Sequence, residues 1–290
     1  MKKIALIIGL LIAFLLCGIV SAEIGGDGKE HDPSAVIVSV RSFSVAQPQE
    51  VNCKILWDIT HGDSGTDGFA KYGELVSDLQ NAGCSVTTTS AGVDTPGLLS
   101  QYDVLVISAG SSANSAYTVS EANAIETFVN NGGGLLVMDE WLGFNAANVE
   151  PVVERFGTSA IASITTWDQV TNLASHPIFS GITTIKLFFM GSLGAQSPST
   201  AVAWYGQDAV VNVVTGKKVV IIGDGNIFQT DATNDFINQN DNRQFAANVF
   251  AYLCPHEGIP TPEFPTIFLP ATMIIGFLGA VLLIQRTREH

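Results

Sequence analysis

Three short stretches carry acidic groups in positions where they could do chemistry. Asp58, His61, Asp63 and Asp67 stand in DITHGDSGTDG, directly after an apolar run. Asp139, Glu140 and Trp141 follow LLVM. Asp224 and Asn226 close VVIIGDGN. Carboxylates such as Asp58, Asp63, Glu140 and Asp224 are the hard oxygen ligands that a divalent cation, Ca²⁺ or Mg²⁺, takes. His61 would tilt such a site toward a transition metal. No other cofactor is suggested. Glu140 offers a second chemistry. A carboxyl whose pKa is raised by burial or by a like charge can act as general base or nucleophile, and Asp139 supplies that charge in sequence.

Each of these features also has a plainer reading. Neighbouring strand residues point to opposite faces, so Glu140 can simply cap the following turn. HGDSGTDG is a Gly/Asp/Ser stretch that favours turn conformations. GDGNIF holds a single acid and lacks a compact cation-loop pattern. Trp57 and Trp141, with the neighbouring carboxylates, suit a surface glycan; aromatics also fill cores.

The elements that must position these groups alternate. KILWD (54–58), CSVTTT (84–89), YDVLVISAG (102–110) and LLVMDEW (135–141) read as strands. Helical spacing spans 68–83, and 120–134 opens with Ser120 as an N-cap and ends in glycines. A further helix covers 146–157 despite Pro151. This alternation predicts an α/β fold: a flavodoxin-like, doubly wound, mostly parallel sheet with helices on both faces. Ligands then bind outside the carboxyl ends of the strands, where the acids stand. After Gly157 come IASITTW, TIKLFFMG, AVAWYG, AVVNVV and KKVVIIGDG, read as an antiparallel extension of the sheet, and a last helix covers 242–253. One domain, 51–254, is expected.

In their order, ILWDITHG, QYDVLVISAG, IETFVNNGGGLLVMDE, HPIFSGI and VVIIGDGNIF…NDNRQFAANVFAYL resemble the class I glutamine amidotransferase-like fold, in particular the DUF4350 or GATase1-like group. The resemblance implies a nucleophilic Cys on the turn after the fourth strand. Here that turn reads MDEWLGF, without Cys or Ser. Cys53 and Cys84 begin strands and Cys254 ends the last helix. His176 precedes a proline in a loop. Glutaminase chemistry, which needs an activated thiol, is disfavoured.

The ends give an address. Lys2 and Lys3, an apolar run and Val20-Ser-Ala22 read as a signal peptide, 1–22, followed by a leader, 23–50. At the other end, a linker (255–264) leads to an uncharged stretch (265–285) long enough for a transmembrane helix, then a basic end (286–290) that stays inside. Pro262-Glu263-Phe264, the helix and the basic end resemble the PEF-CTERM sorting signals of archaeal exported proteins. That resemblance implies an archaeosortase-type processing enzyme as partner and a domain held outside, at the membrane or cell surface. A plain membrane anchor is the alternative.

Formal net charge is −14. Clustered Lys and Arg are missing, which sets nucleic acid aside as partner. Three cysteines remain after signal cleavage, so at least one stays unpaired. Buried free thiols are the expected state. If one disulfide forms, Cys53–Cys84 is the pair expected from neighbouring strands. Two functions fit: a non-catalytic surface-binding or envelope protein, or an extracellular hydrolase using rim carboxylates or a divalent metal.

Overall fold

Short, fully apolar runs build the centre of the molecule. In the computed structural model, residues 52–61, 68–109, 116–142, 145–230 and 235–254 are described. All lie in one unit, Pro48–His290. The signal peptide, leader, PEF motif, apolar tail and Asp63 fall outside the described residues. Among the described residues, no helix is long and apolar enough to cross a membrane.

Strands β1 (Lys54–Asp58), β2 (Ser85–Thr89), β3 (Val104–Ser108) and β4 (Gly134–Met138) alternate with helices α1 (Gly73–Asn81), α2 (Val119–Asn130) and α3 (Ala146–Val153). Strand β5 (Thr158–Val170) and the two-residue β6 (Asn172–Leu173) follow. Then come β7 (Ile185–Ala195), β8 (Ser199–Tyr205), β9 (Asp208–Val214), β10 (Val219–Ile222) and helix α4 (Asn242–Leu253). The main sheet runs β2-β1-β3-β4-β10-β9-β8-β6. Its first five strands are parallel and the last three join antiparallel. The parallel core and the antiparallel extension match the expectation.

Two parts of the extension differ from it. Strand β10 pairs in parallel with β4, as its fully buried VVII suits. Strands β5 and β7 leave the main sheet and pair with each other as a two-stranded antiparallel ribbon. Much of β5 alternates intermediate and exposed residues, the pattern of a strand with one wet face.

Period-two alternation divides each central strand between two cores. Ile55, Trp57, Val104 and Val106 face one side, with Leu75 of α1 and Phe245, Val249 and Phe250 of α4. Leu56, Leu105 and Ile107 face the other, with Ile125 of α2 and Val149 of α3. Helices therefore cover both faces of the parallel half. The carboxyl ends of β1, β4 and β10 come to one edge, which carries the acids.

The structure corrects the expectation of buried free thiols, which holds for Cys84 alone: the described cysteines contain a disulfide, and it is not the Cys53–Cys84 pair. Cys53 bonds to Cys254, 201 residues on, while Cys84 stays a buried free thiol. The reason is helix α4, which packs on the face where Cys53 points and delivers Cys254 to it. That is a tertiary contact which strand neighbourhood alone does not reveal.

Candidate functional site

The tip of β1 is a closed polar network. Asp58, 2% exposed, accepts from the Tyr117 hydroxyl at 2.7 Å through Oδ2 and from the Thr60 backbone amide at 2.8 Å through Oδ1. His61 lies 2.8 Å from Glu121 through Nε2, and its ring lies over Tyr117 with centroids 4.0 Å apart. The Thr118 amide donates to the other Glu121 oxygen at 2.8 Å. Burial pushes the Glu121 carboxyl up. The hydrogen bonds from Thr118 and His61, with the His61 charge, outweigh it and hold the carboxyl below its ordinary value.

Sequence reasoning missed Tyr117 and Glu121. The α2 N-cap is Thr118, not Ser120: the Thr118 hydroxyl accepts from the Glu121 amide, and the Glu121 carboxylate accepts from the Thr118 amide. The pattern Thr-x-x-Glu ahead of an apolar run is the signal that would have found it.

The second tip, where β4 and β10 end side by side, holds three acids and no cation partner among the described residues. Asp139, Glu140 and Asp224 are 0%, 6% and 0% exposed. Desolvation drives all three upward, Asp139 to about 8 and Asp224 to about 7. Glu140 stands well above the carboxyl range, first through burial and then through the charges of Asp224 and Asp139.

Backbone amides use most of these oxygens. Asp224 accepts from Phe188 of β7 and from Asn226, both at 2.6 Å, and from Ile227. Glu140 accepts from Trp141 and Gly225. Asp139 accepts from Glu140 at 2.8 Å through Oδ1, while its Oδ2 is buried and has no hydrogen-bond partner. Asn226 bonds Gln229 at 3.1 Å. Asp224 is therefore a fastener that ties β7 to the end of β10.

Glycines bring the backbones close enough to seal this tip. A Cβ on Gly191 of β7 would lie 2.6 Å from the Glu140 carbonyl oxygen, and one on Gly223 would lie 2.2 Å from that of Gly191. Side chains larger than hydrogen do not fit there. Gly225 packs against Glu140 itself, and its carbonyl accepts from the Tyr72 hydroxyl at 2.6 Å.

The two tips do not merge into one metal set. Among the described residues, the group of three candidate ligands whose donor atoms lie mutually within 4.8 Å is Cys53, Cys84 and Cys254, on another part of the molecule. Asp58 and His61 are brought together with Glu121, and Glu140 with Asp224 and Asn226. His176 is remote in role: its Nδ1 accepts from the Ile178 amide at 3.4 Å, and its ring packs on Tyr252.

The aromatic candidates separate. Trp57 is 0% exposed and belongs to the core, against Tyr72 at 4.6 Å and Phe69 at 5.2 Å, so it is corrected to a structural residue. Trp141 stays partly exposed at the rim, 6.4 Å from Phe189. Trp167 from β5 stands 5.6 Å from Phe189 as well, edge to face. Trp167 is 52% exposed and Phe189 40%. Phe189 has φ 56°, a left-handed conformation that is uncommon away from glycine. It directly follows Phe188, whose amide Asp224 holds. The acidic tip thus fixes the backbone that presents an exposed aromatic row.

No family model matches the chain, and no curated protein matches it. Solved structures share its fold. The mmIFT52 N-terminal domain is 14% identical with a TM-score of 0.58 over 70% of this chain and 99% of that one. A cytoplasmic protein of Salmonella typhimurium LT2 is 20% identical with a TM-score of 0.53, covering 70% of this chain and 100% of that one. A glutamine amidotransferase from Methylobacillus flagellatus is more distant: 9% identity and a TM-score of 0.45, over 74% of this chain and 100% of that one. At these identities the first two likenesses are of fold alone.

Proposed function

We propose that this chain is an exported surface protein whose amidotransferase-like domain binds rather than catalyses. The reading is supported by one observation above all. At the turn after β4, where the family resemblance would place a thiol, Glu140 is buried, held by two backbone amides and pressed by the β7 backbone. A substrate carbonyl needs an exposed nucleophile, and Glu140, 6% exposed, is not one.

The binding surface is the adjoining row of Trp141, Phe189 and Trp167. Aromatic faces, two of them on strands β5 and β7, suit the apolar faces of a neutral glycan at little conformational cost. The acidic balance of the chain disfavours an anionic one. The PEF-type tail, cut or read by an archaeosortase-type enzyme, then carries this surface to the cell exterior; membrane attachment through the apolar segment serves the same end.

Thermal-shift titration of the protein with neutral oligosaccharides tests the binding half. A saturable rise that Trp167→Ala removes is expected, and no shift with any of them contradicts it. For the address, Glu263→Ala with Phe264→Ala should change the size of the mature protein in cells; unchanged processing reduces the tail to an anchor.

One observation favours a second reading, an extracellular hydrolase. Asp139 has an unpartnered buried oxygen and a pKa pushed up to about 8, the state of a group that can hand over a proton near neutrality. Turnover of a polymeric surface substrate that Asp139→Asn abolishes, with the fold intact, would establish it.

A further inference from the structure

The three cysteines left by signal cleavage meet at one buried point beneath helices α1 and α4. Their sulfurs all lie within 4.8 Å of one another, although only Cys53 and Cys254 are bonded. The third, Cys84, is 8% exposed. We propose that this cluster is an intramolecular thiol–disulfide exchange site, in which Cys53 is the shared sulfur and Cys254 and Cys84 are its alternative partners.

The sheet register makes the second partner available. Strands β1 and β2 are parallel, with Lys54 opposite Ser85, and the Ser85 amide donates to the Cys53 carbonyl at 2.9 Å. Cys53 and Cys84 therefore stand one position earlier on adjacent chains, about 4.8 Å apart in the backbone. A disulfide accepts Cα separations of roughly 4.4 to 6.8 Å, so this pair needs little backbone movement. Cys53 and Cys254 have a separation of 5.7 Å, so both pairings fall in the permitted range.

The chemistry balances without an outside oxidant. Cys84 gives up its proton, and the thiolate attacks Cys53 Sγ. A Cys53–Cys84 bond forms, the Cys53–Cys254 bond breaks, and Cys254 leaves as a thiolate that takes the proton. Burial pushes the Cys84 thiol up, which slows the step, while a hydrogen bond from the Cys53 backbone amide opposes that push. A cavity of about 160 Å³, lined by Leu75, Leu79, Phe250, Cys84 and Cys254, gives the sulfurs room to rearrange.

The consequence falls on the end of the domain. Cys254 caps α4. In the resting pairing, this end of the chain is covalently tied to the start of β1. In the exchanged pairing it is held by packing and by the Lys218 ammonium, which donates to the Cys254 carbonyl at 3.0 Å. Exchange therefore loosens the root of the C-terminal segment while keeping the number of disulfides constant.

Two measurements on the full chain test this. Cys254→Ser, oxidised in a glutathione buffer, should yield a Cys53–Cys84 cross-linked peptide pair on non-reducing digestion, with an unchanged circular dichroism spectrum. A folded variant in which Cys53 and Cys84 remain separate thiols, or carry only glutathione, overturns the proposal. The unaltered chain avoids any folding defect. After incubation in mildly alkaline buffer, acid quench and alkylation, the label should divide between Cys84 and Cys254. Label on Cys84 alone at every incubation time overturns it equally.

Discussion

The tips of β1 and of β4/β10 bury similar numbers of polar groups and neutralise them by opposite means. At β1, Asp58 and Glu121 are matched by donors: a tyrosine hydroxyl, backbone amides and an imidazole. At β4/β10, Asp139, Glu140 and Asp224 have amides but no cation partner among the described residues, and burial pushes their pKa values up. Burial raises a carboxyl's pKa and hydrogen bonds to its charged form lower it: at Glu121 the hydrogen bonds win, and at Asp139, Glu140 and Asp224 burial does. An apolar strand that ends in an acid can thus lead to either outcome. What the neighbouring element brings decides which.

The largest expected effect separates the tips by pH. Acids with raised folded pKa values bind protons that the unfolded chain has released. Their stabilisation is complete below the ordinary carboxyl range, and it is lost as pH rises through about 7 for Asp224 and about 8 for Asp139. Glu121, held low, acts in the other direction: its contribution is present above the ordinary carboxyl pKa and lost on acidification below it. Urea unfolding should therefore show stability falling from pH 5 to pH 8, by up to about 1.4 kcal/mol per pH unit for each acid that keeps its proton. Asp139→Asn should lessen that fall by one acid's share, and Glu121→Gln should leave it unchanged. A flat profile in the unaltered protein would place charged acids at both tips.

Next in size is Asp224→Ala. It strands the amides of Phe188, Asn226 and Ile227 in a buried site and should cost about 3 kcal/mol in urea denaturation. It should also abolish glycan binding by releasing Phe189. A smaller loss, about 1 to 2 kcal/mol, is expected for Glu121→Ala, which removes the capping box of α2 and the His61 contact. The smallest is Trp167→Ala. Half exposed, it should shift stability by no more than about 0.5 kcal/mol while removing the glycan response. A large stability loss here would make the aromatic row a core element instead of a binding face.

The second tip was legible in sequence because its acids come at the ends of the apolar runs LLVM and VVIIG, and strand ends in a doubly wound sheet converge on one edge. Partners that arrive from other elements were not. Tyr117, just before α2, and Glu121, in its first turn, reach Asp58 and His61, and Phe188 reaches Asp224 from the β5–β7 ribbon, whose departure from the main sheet no local pattern announces. Trp57 was open to two readings, a glycan-binding face or a core ring. Strand alternation puts its ring in the core while Asp58, one position on, ends the strand at the edge. The disulfide followed the same rule: Cys53 and Cys84 are neighbours by strand register, and α4 supplies the competitor from far along the chain.

The central claim is that the β4/β10 tip fastens β7 and supports a binding surface instead of holding a metal for catalysis. Its most direct test is thermal unfolding of the protein with Ca²⁺, Mg²⁺ or Zn²⁺ near pH 8, where the acids are most ready to ionise. We predict a midpoint unchanged within about 1 °C at metal concentrations up to millimolar. A saturable rise with any one of these ions, abolished by Glu140→Gln, would contradict it and make the tip a metal centre.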